Sequence, residues 1–247
     1  MRIFAISDLH LDSFDNKPMD IFGDTWKFFK EDIIENAKKN KITDKDIVVI
    51  AGDISWAMKK EEAKTDISFL DAIPGKKILI RGNHDYWWKG ISGVRDVLPP
   101  ETYAIQNDAI KFGKFIFCGT RGWNVDRIKP NDLGQYEIKE NDGKTKLNED
   151  ERILAKEKER LKLTLDAALK MRNKGDEVIV VMHYPPYTRG FQETTFTKMI
   201  EAAGVKTVVF GHLHGERWKK YLEVRINNTK YFLTSCDVVD NKLVRIK

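Results

Sequence analysis

"KILIRGNHD", residues Lys77–Asp85, carries the apolar run Ile78–Ile80, passes Arg81 to a glycine and then presents Asn83, His84 and Asp85 without a spacer. An unbroken apolar run of this length fits a short strand buried on both faces of a sheet. Four further segments repeat the pattern of apolar run and polar end: "RIFAISDLH" (2–10), "DIVVIAGDISW" (46–56), "EVIVVMHYPP" (177–186) and "KTVVFGHLHG" (206–215). Helical patterns fall between several of them. Asp24–Asn40 places Trp26, Phe29, Ile33 and Ala37 on one stripe, and Lys59–Ile73 and Phe191–Gly204 read as further helices, the last stopped by its glycine. The longest helix is predicted over Asn148–Asn173, with Ile153, Leu154, Leu161, Leu165, Ala168 and Leu169 as its apolar side and a solvated charged face.

Thr102–Gly119 and Tyr221–Lys247 read as short strands, and "QND", "FGK", "INNTK" and "VDNK" between them carry hairpin chemistry. Strand–helix alternation with such hairpins predicts an α/β fold, a mixed sandwich with helices outside paired sheets. With no repeat or linker in view, a single domain over residues 1–247 is expected. The polar, turn-rich stretch from Asp126 to Lys146 reads as a long surface loop rimming the site.

The 247 residues are 41% hydrophobic, enough for a substantial core. No apolar run approaches the roughly 20 residues of a membrane span. "MRIFAISDLHLD" enters a strand at once and lacks the long apolar region of a signal peptide, so a soluble cytoplasmic protein is expected. The lone cysteines, Cys118 and Cys236, form no CxxC pair and read as free core thiols. A net charge of +5 with interleaved signs suits an anionic substrate without demanding nucleic acid.

Ligands of α/β sheets bind beyond the carboxyl ends of the strands, and every polar group of interest lies there. All five histidines, His10, His84, His183, His212 and His214, follow an apolar run directly. Asp8 and His10 stand two apart, as do His212 and His214, so residual strand geometry would point each pair the same way. Asp53, Asn83 and His212 each follow a glycine, which relieves crowding where backbone approaches a packed site. Oxygen and imidazole donors without thiolate suit Mn, Fe, Zn, Co or Ni rather than a structural zinc cage. The set is large enough for two divalent ions roughly 3.5–4 Å apart, the spacing used in two-metal phosphate-ester hydrolysis.

The blocks "DLH", "GD", "GNHD", "MH" and "GHLH" occur in the order of the calcineurin-like metallophosphoesterases, and the chain closely resembles that family from residue 8 to residue 214. The resemblance implies a four-layer αββα sandwich of two mixed sheets flanked by helices. It implies one metal held by Asp8, His10, Asp53 and His214, and a second held by Asp53, Asn83, His183 and His212, with Asp53 as the bridge. His84 would then face the substrate and assist the leaving oxygen, with Asp85 orienting its ring. The implied activity is hydrolysis of a phosphomonoester or phosphodiester by a metal-bridging hydroxide, with Mn the ion for reconstitution.

Other residues are read more loosely. Arg81, Arg121 and Arg189 stand close enough to the motif turns to grip phosphate, although surface or packing roles weigh more. Trp56, Trp87, Trp88 and Trp123 serve as either an aromatic wall or core, and Tyr86 and Tyr184 as either support or substrate contact. Asp12 and Asp15 read as turn formers, and the prolines of "HYPPY" as a brace after His183. Two competing functions are a nuclease, disfavoured by the absence of a basic stripe, and a non-catalytic interaction module, disfavoured because every family ligand is kept. A lipid A pyrophosphatase shares the opening "D-x-H-L" but usually has arginine where His84 stands. The substrate itself is not written in the motifs, because loops above a shared centre set it.

Overall fold

The computed structural model describes residues 1–14, 17–127 and 149–247. In chain order its strands are β1 (Ile3–Ile6), β2 (Ile47–Ile50), β3 (Lys76–Leu79), β4 (Thr102–Ala104), β5 (Ala109–Phe112) and β6 (Phe115–Thr120). They continue as β7 (Glu177–Met182), β8 (Thr207–Phe210), β9 (Glu223–Ile226), β10 (Thr229–Leu233) and β11 (Val244–Arg245). Five form one sheet in the order β11-β1-β2-β3-β4, and six form another in the order β5-β6-β7-β8-β10-β9. The five motif runs are β1, β2, β3, β7 and β8, and neighbours among them pair in parallel.

Parallel pairing in register makes these strands end at one level. Ile6 stands beside Ile50, and Ile50 beside Leu79, so the polar residues that follow emerge on the same rim. A bridge between Ser7 and Ser235 joins the ends of β1 and β10, with Ser7 N–H donating to Thr234 O at 2.8 Å and Cys236 N–H to Ser7 O at 3.0 Å. That bridge holds the rims of the two sheets together.

Strand alternation sorts the side chains into layers. Ile3, Ala5, Val49 and Ile78 point between the sheets and meet Phe117, Ile179, Val181 and Val209. On the other face of the first sheet, Phe4, Ile6 and Val48 pack with α1 (Phe29–Lys39), α2 (Lys60–Ile67) and α3 (Ile91–Arg95). On the second sheet, Ile116, Val180 and Val208 receive α4 (Glu149–Met171) and α5 (Thr195–Ala202). Helices, two mixed sheets and helices make the four-layer αββα sandwich. Both cysteines are buried and free.

Several expectations need correction. Trp26, Phe29, Ile33 and Ala37 are all buried, but the chain takes a 3-10 turn over Asp24–Trp26 and becomes α-helical only at Phe29. The Lys59–Ile73 pattern likewise splits into α2 and a 3-10 turn, Ser68–Ala72. The third helix begins only at Thr195, where Thr194 forms a capping box with Thr197. On α4, Leu169 is 40% exposed while Glu157 and Thr164 are buried. Those polar residues face β6 because its end presents donors: Gly119 N–H reaches Thr164 Oγ1 at 3.0 Å, and Thr120 Oγ1 reaches Glu157 Oε2 at 2.5 Å.

Only "FGK" and "INNTK" close hairpins, β5–β6 and β9–β10. "QND" and "VDNK" carry the chain from one sheet to the other, since β4 and β11 belong to the first sheet. Left-handed residues at Asn107, Asp240 and Asn241 mark the reversals, but a turn does not specify which sheet receives the next strand. Asp15, the start of the long helix at Asn148 and most of the loop expected over Asp126–Lys146 lie outside the described residues.

Asp46 ties the start of β2 to the start of β1. Its carboxylate accepts Arg2 N–H at 2.8 Å, the Arg2 guanidinium at 2.6 Å and Thr43 N–H at 3.0 Å. Burial opposes its ionisation, but the Arg2 guanidinium and those N–H groups win and hold the carboxyl well below the usual range. Asp46→Asn should lower unfolding stability at pH 7 by about 1.5–3 kcal/mol. The lower end is expected because the Arg2 side chain is 32% exposed. A depressed folded pKa means that the unfolded chain binds more protons in acid, so the contribution is complete well above about pH 4 and fades as pH falls below it. Urea titrations should therefore show a stability gap between wild type and variant that narrows from pH 7 to pH 3.

Candidate metal centre

Beyond the strand ends the backbone turns left-handed. Asp8 (φ 57°), His10 (φ 47°), Asp53 (φ 50°) and His212 (φ 69°) all occupy the region that side-chain-bearing residues avoid. Each such residue costs of order 1–3 kcal/mol and persists where surrounding structure enforces it. The enforcement is visible: Asp8 N–H donates to Gly52 O and His10 N–H to Asp53 O, both at 3.0 Å. The two-residue spacing of Asp8 and His10 is thus resolved by left-handed turns and not by residual strand geometry, because β1 has already ended at Ile6.

Glycines let these turns touch. A Cβ on Gly52 would lie 2.8 Å from both Gly82 Cα and His183 Nδ1. A Cβ on Gly82 would run into Asp53, and one on Gly211 into Asp8 and Ser7.

The donors converge in two overlapping groups, Asp8 with His10 and His214, and Asp8 with Asp53 and His183. His214 Nε2 lies 3.4 Å from Asp8 Oδ1, and His183 Nε2 lies 3.3 Å from Asp53 Oδ2. His10 Nε2 approaches the same Asp53 oxygen at 3.8 Å, so that oxygen stands between the halves. Asn83 Oδ1 is 2.8 Å from His183 Nε2. The His212 ring packs 4.0 Å from Tyr184 and 5.2 Å from His183, centroid to centroid, beside the second group. Its backbone N–H donates to both oxygens of Asp8, at 3.1 and 3.0 Å. All seven sequence-predicted donors therefore meet on one rim.

Burial works against ionising Asp8, but the neighbouring imidazoles hold it far below the usual carboxylate range. Burial also disfavours charge on His183, yet Asp53 and Asp8 prevail and raise it to about 9. Burial dominates at His10, lowered to about 4, and at His212, lowered to about 3. His214 is raised overall, because Asp237 and Asp8 outweigh its burial. The carboxylates thus demand positive charge at both ends of the cluster.

The residues fit a metal. Asp53 Oδ2 and His10 Nδ1 are buried without a hydrogen-bond partner, and an orphaned carboxylate oxygen is costly unless a cation meets it. Asp53 Oδ1, by contrast, accepts His84 N–H at 2.7 Å. Imidazole nitrogens and carboxylate or amide oxygens suit borderline divalent ions. His214 is further oriented by Asp237, whose carboxylate lies 2.8 Å from Nδ1 and accepts Gly215 N–H at 2.8 Å. Orientation of an imidazole donor by such a carboxylate is a recurrent feature of metal sites. Sequence reading missed Asp237, although it follows the apolar run of β10 as the other donors follow theirs.

His84 borders a cleft of about 390 Å³ with His10, His214, Trp26, Trp56 and Phe22. Asp85 does not orient the His84 ring, contrary to expectation. It is buried and accepts Gly82 N–H at 2.7 Å, Ile54 N–H at 2.9 Å, Ser55 N–H at 3.2 Å and Trp87 Nε1–H at 3.1 Å. Burial and the charge of Asp53 push its carboxyl up to about 6 against those donors. Its task is to staple the Gly82–Asp85 turn to the turn after β2. Near the His84 ring stands the Tyr86 hydroxyl, 3.3 Å from Nδ1.

Trp56 stacks on His10 with centroids 4.6 Å apart, whereas Trp87 and Trp88 belong to the core. Trp123 packs on Tyr184, away from the cleft lining. Arg189 is largely exposed and pairs with Asp126 at 3.5 Å. Asp12 accepts Phe14 N–H at 3.0 Å, as a turn former does. Among the described residues no helix is long and apolar enough to cross a membrane.

No curated protein matches the chain. Among solved structures it is similar to a protein of unknown function, AQ665, from Aquifex aeolicus, at 16% identity and TM-score 0.47, covering 99% of this chain and 95% of that one. It is also similar to the calcineurin-like phosphoesterase YfkN from Bacillus subtilis, at 14% identity and TM-score 0.49, covering 94% of this chain and 80% of that one. The family model for calcineurin-like phosphoesterases matches residues 1–216, which include all seven of the sequence-predicted metal donors. The chain belongs to the calcineurin-like phosphoesterase family.

Proposed function

We propose that this protein is a metal-dependent phosphohydrolase with a dinuclear centre, acting on a phosphomonoester or phosphodiester. The observation that carries the proposal is the buried, unpartnered Asp53 Oδ2, approached by His10 from one side and His183 from the other. Asp8, His10, Asp53 and His214 would hold one ion, and Asp53, Asn83, His183 and His212 the other. Divalent ions, when bound, supply Lewis-acid stabilisation of phosphoryl oxygens and a water of lowered pKa. Mn is the first choice for reconstitution, and Fe, Zn, Co and Ni suit the same donors.

The chain's own residues supply the rest. The Tyr86 hydroxyl, donating to His84 Nδ1, would leave an N–H on Nε2 to hydrogen-bond the leaving oxygen of the ester. Asp237 fixes the ring of His214, and Asp85 fixes the turn that carries Asn83 and His84. Met19, Phe22, Trp26 and Trp56 give the leaving group an apolar wall.

With Mn²⁺ supplied, the protein should hydrolyse a phosphate ester in a screen of a monoester, a diester, cyclic nucleotides and single-stranded DNA; inactivity on all four would count against the proposal. His84→Ala should reduce turnover by about 10²–10⁴-fold while elemental analysis finds the same metal content. Unchanged turnover on an ester with a poor leaving group would remove His84 from the reaction. Asp53→Asn should weaken both ions together, and full occupancy of both in that variant would refute the bridging role.

A further inference from the structure

A second recess opens on the same rim, about 50 Å³ in volume and lined by Arg81, Arg121, Arg160, Lys89, Gln106 and Thr120. None of these is among the seven metal donors. The arginines come from three places: the turn after β3, the loop after β6, and α4. Positive charge is not balanced there. Buried Glu157 pairs with Arg160 at 2.6 Å and Arg121 at 3.3 Å, and its other oxygen is taken by Thr120 and Gly122. Arg81 makes no ion pair among the described residues. The nearby carboxylate of Asp85 attracts it through space, but N–H groups already occupy both of its oxygens.

The Nε atoms of Arg81 and Arg121 are buried and have no hydrogen-bond partner. Burying a guanidinium donor unmatched is unfavourable, and the neighbouring Arg121 and Arg160 charges add repulsion at Arg81. Three arginines therefore share the single carboxylate of Glu157, which leaves the cluster net positive. A water-sized probe needs about 10–15 Å³. The recess therefore holds roughly three to five such spheres, about one tetrahedral oxyanion and far less than a nucleotide. Guanidinium forks match the paired oxygens of phosphate.

We propose that the Arg81–Arg121–Arg160 recess is an oxyanion site of phosphate class, separate from the metal centre. The anion has two sources of identical chemistry: free inorganic phosphate, or a second phosphoryl group on the substrate. Position makes the second source structurally reasonable. Arg81 lies two residues before Asn83, and Arg121 O accepts the N–H groups of His183 and Tyr184 at 3.2 and 2.9 Å. Arg81 thus sits on the turn that carries Asn83, and Arg121 is hydrogen-bonded to the turn that carries His183.

The test is calorimetric titration of inorganic phosphate into full-length protein stripped of metal by chelation, which silences the ion-dependent site. Wild type should bind phosphate, and Arg81→Gln and Arg160→Gln should each weaken it at least about tenfold, the loss of one charge-assisted hydrogen bond. Arg225→Gln, which removes an exposed charge elsewhere, should bind as wild type does. No binding by wild type, or equal binding by all variants, would overturn the proposal. Arg81→Gln should also keep or raise the melting temperature, since it removes an unpaired, partly buried charge; marked destabilisation would assign Arg81 to packing instead.

The source follows from hydrolysis by metal-loaded protein. A raised KM confined to esters carrying a second phosphoryl group identifies the substrate, and unchanged KM on all esters identifies free phosphate. Absence of hydrolysis would defeat the proposed function and leave the titration result standing.

Discussion

Asp53 carries a buried carboxylate with one oxygen satisfied by His84 N–H and the other without a hydrogen-bond partner, faced by the imidazoles of His183 at 3.3 Å and His10 at 3.8 Å. Two other buried carboxylates are saturated: Asp85 accepts four N–H donors, and Glu157 takes two arginines, a hydroxyl and an amide. An oxygen left bare in such an interior destabilises the fold unless a cation completes it. The surrounding architecture maintains that arrangement. Gly52 and Gly82 have no side chains that would separate Asp53 from His183, and the left-handed turns at Asp8, His10 and Asp53 aim their groups at a common space.

Two sheets are needed to build it. β1 and β2 deliver Asp8, His10 and Asp53, while β7 and β8 deliver His183, His212 and His214. The Ser7–Ser235 bridge holds the two rims in contact, and the apolar layer between the sheets fixes their separation. Local strain at the turns is thus supported by a core that does not itself take part in the chemistry.

The five motif strands were legible because each is buried on both faces, so hydrophobicity alone marks them, and the donors were legible because they follow those runs directly. Longer-range features were not. "QND" carries proper turn residues, yet whether the chain reverses within a sheet or crosses to the other depends on packing that no local signal encodes. Glu157 and Thr164 broke the apolar stripe expected of α4 because they answer donors at the end of β6, 37 and 45 residues away. The role of Asp85 was misread for a similar reason: adjacency to His84 suggested ring contact, while the donors that claim it lie in a different turn. Asp237 shows the opposite case, a residue whose position after a strand carried a usable signal that went unread.

The central claim is that Asp53 Oδ2 joins two cation sites. Anomalous diffraction from crystals grown with Mn²⁺ tests it most directly. Two peaks are expected, one on the side of His10 and His214 and one on the side of Asn83 and His183, with the Asp53 carboxylate between them. A density map with no anomalous peak in this cluster, or with Asp53 Oδ2 hydrogen-bonded to the protein instead, would contradict it.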